Sequence, residues 1–190
     1  MQKGLQWGTI GLMVITLMLM LVYFDTDAAV WKAFTVISGT LFYHVGIRWG
    51  ILALIDYGPE DWFDWRRWIY TPRRYEKALY DKLRVGDWKA YVPVLRPSLY
   101  SPREHSWDDI LLAMCQTEFA HALGALGCLI PMILGPILFK GFWAFFITGL
   151  LLILVEMCFI VVQRYNRPRV IAMLRKRERE EAARARRNAF

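Results

Sequence analysis

Three long apolar blocks, residues 5–24, 30–55 and 119–162, constrain this chain more than any other feature of its sequence. A helix rises about 1.5 Å per residue, so roughly 20 apolar residues cross a hydrocarbon core of about 30 Å. The first two blocks supply one such segment each, and the third, divided near Lys140 and Gly141, supplies two. The expected fold is an all-α membrane protein, a single integral membrane domain over residues 1–190, with four transmembrane helices at 5–24, 30–55, 110–138 and 142–163. Hydrophobic residues make up 56% of the chain and charged ones 22%, so the charge has to be segregated from the spans. The first block has too long an apolar core and too weak a cleavage site for a signal peptide, and is expected to remain as the first span.

The arginines set the expected orientation. Arg66, Arg67, Arg73 and Arg74 fall between spans two and three, and a dense basic run follows span four, whereas "DTDAA" and "FKG" are nearly free of basic charge. Both termini are therefore expected in the cytosol of a multi-pass cell-membrane protein, with a cytosolic loop at 56–109 and a cytosolic tail at 164–190. In the loop, Thr71 and Pro72 open an expected helix over residues 73–83, which Gly86 ends. Tyr75, Leu79 and Leu83 line one face of it, and Arg73, Glu76, Lys77 and Lys82 the other, the pattern of an amphipathic helix lying on the inner leaflet. The tail alternates Arg and Glu among helix formers and is expected to continue as a basic C-terminal helix, solvated or on the membrane surface. Its charge lies beside a bilayer with no recognisable nucleic-acid fold, so a nucleic-acid partner is not expected.

Ionisable residues inside spans are costly unless paired or facing a cavity, and so mark candidate sites. Taking Tyr57, Asp109 and Arg164 as the cytosolic helix ends, Arg48, Glu118 and Glu156 come out at a common depth of about 12 to 14 Å, and His44 and His121 at about 18 to 20 Å. His44 shares a face with Arg48, and Glu118 with His121. A pocket open to the inner leaflet follows, with Glu118 beside His121 as a general base and its orienting partner. Arg48 and Glu156 also suit a purely structural ion pair. Only one Glu-x-x-His pair is present, and Cys115, Cys128 and Cys158 lack a CxxC pairing, so no metal site or disulfide framework is expected.

Three stretches together resemble the glycosyl-4,4'-diaponeurosporenoate acyltransferase family: "QRYNRPRV" from Gln163, "TEFAH" from Thr117, and "PRRYEKALYDKLRVGDWKAYVP" from Pro72. Residues 163–169 are the most specific part, with Glu118-x-x-His121 and Trp88-Lys89 matching in order and spacing. The resemblance implies the chemistry of the last step of staphyloxanthin synthesis, in which a fatty acyl chain is esterified onto a sugar hydroxyl of a glycosylated carotenoid.

Acyl transfer to a hydroxyl needs a base, donors for the tetrahedral oxyanion and a groove for the chain. Together with the resemblance, this makes His121 the expected base, Glu118 its orienting partner and His44 a second candidate. Gln163, Arg164, Asn166 and Arg167 are expected to hold a polar head, since arginine forks suit phosphate or carboxylate and amides suit sugar hydroxyls. Arg48, Trp88 and Lys89 complete the binding set. The expected partners are membrane lipids, a lipid-linked or glycosylated isoprenoid acceptor, and an acyl donor (acyl-CoA, acyl-carrier protein or phospholipid), with no further cofactor. Two alternatives stay open: another lipid-modifying membrane enzyme, a methyltransferase or reductase, and a non-catalytic lipid-binding scaffold whose buried charges are structural.

Overall fold

The computed structural model of the chain describes residues 2–94, 96–139 and 142–188. The expected division at Lys140 and Gly141 and the last two residues of the tail lie outside the described residues. Every regular element among the described residues is helical. Three helices are long and apolar enough to cross a membrane: Trp7–Thr26, Trp107–Ile137 and Phe142–Asn188. The helix over the expected second span, Ala29–Tyr57, is not one of them, and the hydroxyls of Thr35, Ser38 and Thr40 together with His44 and Arg48 dilute its apolar content.

The chain divides into two compact units. The first comprises Met1–Tyr57 and Leu123–Leu154. Its two leading helices, α1 (Gln2–Thr26) and α2 (Ala29–Tyr57), are joined by a two-residue turn in which Asp27 takes a φ of 48°. Aspartate tolerates this left-handed backbone better than most residues. The Trp49 indole donates to Thr9 Oγ1 across the pair (3.1 Å), so the two helices share a polar tie as well as apolar surface. The Tyr43 hydroxyl donates to the Gly127 carbonyl (2.8 Å), a group at a helix end with no intrahelical partner. Small residues let the remaining helices close in: a methyl group at Gly135 would run into the Phe145 ring, and one at Gly149 into Met132.

The second unit comprises Gly58–Ala122 and Val155–Phe190. Short helices lead into it, η1 (Glu60–Phe63), α3 (Arg74–Lys82), α4 (Val85–Trp88), η2 (Lys89–Tyr91) and η3 (Pro97–Tyr100), before the long α5 (Trp107–Gly127). Ser106 starts α5 with a reciprocal cap: its hydroxyl accepts from the Asp109 amide (3.2 Å), and the Asp109 carboxylate accepts from the Ser106 amide (3.1 Å). After α6 (Leu129–Phe139), α7 (Phe142–Asn188) runs unbroken through the expected tail, which is a continuation of this helix rather than a separate one. Pro168 lies inside α7 and removes the donor that would bond the Arg164 carbonyl. Ile110, Leu111 and Met114 of α5 pack with Leu174 of α7 as the unit's apolar core, with Trp65, Tyr100 and Trp107 against it.

The structure moves each end of the expected loop helix by one residue and buries part of its polar face. Arg73 is the N-cap, in extended backbone, and the helix stops at Lys82, where Arg84 rather than Gly86 adopts the left-handed conformation at φ 51°. The face turned inward carries Glu76 and Tyr80, while Tyr75, Leu79 and Leu83 are exposed. A non-glycine residue in left-handed backbone costs about 1–2 kcal/mol, and glycine gives back about 0.5–1 of that through its freer unfolded chain. The Arg84–Asp87 ion pair (2.8 Å) is largely solvated and worth little. Arg84→Gly is therefore expected to stabilise the fold by about 0.5–1 kcal/mol, read as a rise in thermal midpoint.

Candidate active site

The second unit assembles its charges on the facing surfaces of α5 and α7, with α3 and the preceding turn laid across them. Glu118 of α5 and Glu76 of α3 are both buried. Arg164 reaches both carboxylates, Glu76 at 2.5 Å and Glu118 at 2.6 Å, and also donates to the carbonyls of Ile69 (2.8 Å) and Thr71 (3.3 Å). Arg167 is completely buried, donates to the other oxygen of Glu118 and to the Tyr70 carbonyl (2.9 Å), and lies over the Tyr70 ring. Two carboxylates and two guanidinium groups thus neutralise one another. Burying four charges is tolerable only with this degree of mutual bonding, and the lattice pins the turn and α3 onto the two long helices.

Its neighbours carry the imprint of that burial. Burial pushes the Tyr70 phenol up to about 12, with Cys115 and Glu118 adding to the shift and Arg167 opposing it. Tyr80, which donates to Glu76 at 3.2 Å, is also pushed up to about 12, by burial first and then by the Glu76 charge. In the unfolded chain both phenols ionise near 10. The stability they contribute is complete below about pH 10 and is lost as pH rises through about 12. Unfolding on alkaline titration is expected in that window together with phenolate absorbance, and Tyr70→Phe with Tyr80→Phe should retain more of its structure there.

One turn beyond Glu118, His121 meets a different partner. Its Nδ1 lies 2.6 Å from Glu156 Oε2, both groups being mostly buried, and its ring stacks on Phe159 with centroids 4.3 Å apart and planes inclined by 2°. The imidazole is held at two points, a carboxylate on one nitrogen and an aromatic face beneath the ring. This directs Nε2 away from Glu156 and suits it to accept a proton, while Glu156 holds the tautomer and stabilises the imidazolium. Glu118, the expected partner of His121, is engaged by Arg164 and Arg167 instead.

The remaining candidates fall into two groups. His44 and Arg48 lie on α2 in the first unit, where His44 Nδ1 is 4.0 Å from Cys128 Sγ. In the second unit, Lys89 donates to Asn166 Oδ1 (2.9 Å), Gln163 donates to the Tyr100 hydroxyl (3.5 Å), and the Trp88 indole donates to the Leu83 carbonyl (3.0 Å). Tyr100 in turn bonds Thr117 (2.9 Å), the residue before Glu118. Sequence reasoning missed three contributors. Glu76 was expected on a solvated face, and Tyr70 and Tyr100 carried no motif; Glu156 was singled out, with a structural pairing to Arg48 favoured. The available signal for Glu156 was the coincidence of one buried carboxylate and one buried histidine on neighbouring helices.

One comparison with known proteins gives a match, and it covers most of this unit. A family model described as glycosyl-4,4'-diaponeurosporenoate acyltransferase matches residues 59–176, more than half of the chain, and the match contains Glu76, Glu118, His121, Glu156, Arg164 and Arg167. No curated protein and no solved structure matches the chain. With its buried histidine–carboxylate pair and arginine lattice lying inside the matched region, the chain belongs to the glycosyl-4,4'-diaponeurosporenoate acyltransferase family and is an acyltransferase.

Proposed function

We propose that the protein esterifies a fatty acyl chain onto a sugar hydroxyl of a glycosylated isoprenoid or carotenoid lipid, at the membrane, with His121 as general base. The observation that carries this reading is the 2.6 Å contact between His121 Nδ1 and Glu156. In it Nε2 takes the hydroxyl proton as the oxygen attacks the acyl carbonyl, and Glu156 orients the ring. Glu118, Arg164 and Arg167 serve as the scaffold that holds α3, α5 and α7 together. This leaves Gln163, Asn166 and Lys89 as the polar groups that meet a ligand. His44 remains a second candidate base and Arg48 a second binding residue, both on α2.

The same proposal extends to the membrane. α2 joins the three apolar helices as a fourth span, and the arginines of the loop and tail place both termini in the cytosol. The exposed stripe of Tyr75, Leu79 and Leu83 on α3 suits a helix docked on the inner leaflet.

Lipid mass spectrometry of membranes from a carotenoid-glycoside-producing host tests it. Membranes expressing the wild type should contain a glycolipid heavier by one acyl group, absent with His121→Ala at equal protein level. A mass increment of a methyl group or of two hydrogens would instead assign a methyltransferase or a reductase. An unchanged lipidome in a host that makes the acceptor would remove the reading.

A further inference from the structure

The second unit holds a cavity of about 290 Å³ with two kinds of wall. Trp107, Ile110 and Met114 of α5 and Val170 of α7 make it apolar, while Gln163 and Asn166 place two amide side chains along one side. Two cations reach Asn166 and its chain neighbour Tyr165. Lys89 bonds Asn166 Oδ1, and Lys89 and Arg169 both lie over the ring of Tyr165, at 4.9 and 4.3 Å from its centroid. Arg169 also donates to the Tyr165 hydroxyl (2.8 Å). Unlike Arg164 and Arg167, neither cation has a carboxylate within ion-pair distance among the described residues. Two cations on one aromatic ring, without a carboxylate partner among the described residues, are suited to an anion from outside the chain.

The cavity and the catalytic pair share one seam. On α7, Glu156, Phe159, Gln163, Asn166 and Val170 follow at three- and four-residue steps, and on α5, Ile110, Met114 and His121 fall on the matching face. From Met114 to His121 is seven residues, about 10 Å along the helix. A ligand lying along this seam meets, in order, two cations, two amides with apolar walls, and an imidazole base. The volume is just below the about 300–1,000 Å³ usual for small-molecule pockets, enough for one slender chain and too small for a two-chain phospholipid.

We propose that this cavity binds the phosphopantetheine arm of a thioester acyl donor, with its phosphate on Lys89 and Arg169, its amides on Asn166 and Gln163, and its sulfur directed along the seam toward His121. The assignment rests on the acyl-transfer reading for what the arm delivers, and it selects a thioester over a phospholipid as donor. In the transfer, the acceptor hydroxyl oxygen bonds to the thioester carbonyl carbon and its proton passes to His121 Nε2. Collapse of the tetrahedral adduct breaks the carbon–sulfur bond, and the departing sulfur takes the proton from His121, leaving an ester and a free thiol. Coenzyme A and acyl-carrier protein present the same arm, so the shared chemistry is assigned and the source is left to measurement.

The test uses the purified full chain in lipid nanodiscs. Calorimetric titration with coenzyme A, 4'-phosphopantetheine and phosphopantetheinylated carrier protein should show binding of at least one of them. Lys89→Ala with Arg169→Ala should weaken that binding about tenfold or more, Lys89→Arg should keep it, and Val94→Trp, which enlarges an exposed residue of the cavity wall, should weaken it with little change in thermal midpoint. Transfer assays with the same acyl group on coenzyme A, on carrier protein and on phospholipid should give ester from a thioester, the double variant raising donor KM about tenfold with kcat little altered. Tighter binding of coenzyme A than of the bare arm, or transfer from carrier protein alone, identifies the source within the proposal. No binding of any of the three probes by the wild type overturns it. Ester formed from phospholipid alone overturns it while the acyl-transfer reading stands. Probe binding that is weakened by the variants, with no ester from any donor, keeps the cavity assignment and removes the acyl-transfer reading.

Discussion

His121→Ala is expected to lower kcat by about 10²–10⁴-fold, the usual contribution of a positioned general base, with little change in thermal stability. The imidazole is tied to the fold by Glu156 at Nδ1 and by a stacked contact with Phe159, and its removal leaves the Glu118–Arg164–Arg167 lattice in place. Glu156→Gln separates orientation from proton transfer. The amide can still meet Nδ1 but cannot stabilise the imidazolium, so kcat should fall by a smaller factor with KM nearly unchanged, and the acidic limb of the pH–rate profile should move toward lower pH because loss of the carboxylate charge weakens the base; a structural role for Glu156 would alter protein yield and leave the profile in place. Assays of both variants in nanodiscs across pH, beside their melting curves, distinguish the two roles.

Glu118→Gln should act in the opposite sense and collapse stability. Glu118 is buried and accepts from Arg164 at 2.6 Å through one oxygen and from the fully buried Arg167 through the other. Neutralising it leaves one guanidinium charge uncompensated in the interior, and breaking a buried pair in this way costs about 3–5 kcal/mol. That is a large share of the roughly 5–15 kcal/mol by which a typical domain is stable. Detergent-solubilised Glu118→Gln should therefore run as aggregate on size exclusion or melt far below the wild type, whereas Glu118→Asp, which keeps the charge with a shorter reach, should lose less. A Glu118→Gln protein that melts like the wild type but turns over slowly would restore Glu118 to the catalytic role expected from its position one turn from His121.

The contrast between these two carboxylates shows where sequence reasoning stops. Helix periodicity correctly put Glu118 and His121 on one face of α5, and apolar runs correctly marked where the helices of an all-α chain lie. The depth count failed because it took Arg164 as a helix end level with Asp109. In the fold Arg164 lies beside Glu118, and the region of α7 that packs near the start of α5 is Val170 to Leu174. A rise of 1.5 Å per residue measures distance along one helix and says nothing of the axial offset between two. That offset is set by how Ile110, Leu111 and Met114 interlock with Leu174. The same limit applies to α3, whose apolar stripe suggested which side would face outward to a leaflet but not that Glu76 on the other side would be buried against Arg164.

By itself, then, the amino-acid sequence determined the helical segments, the separation of apolar from basic regions and the motif of the acyltransferase family, because each depends on residues close together in the chain. Only the tertiary structure decided that Glu156 meets His121, that Glu118 and Glu76 neutralise Arg164 and Arg167, and that Lys89 and Arg169 have no carboxylate partner among the described residues. Those pairings join residues tens of positions apart, and they follow from the offset and rotation at which the packed helices come to rest.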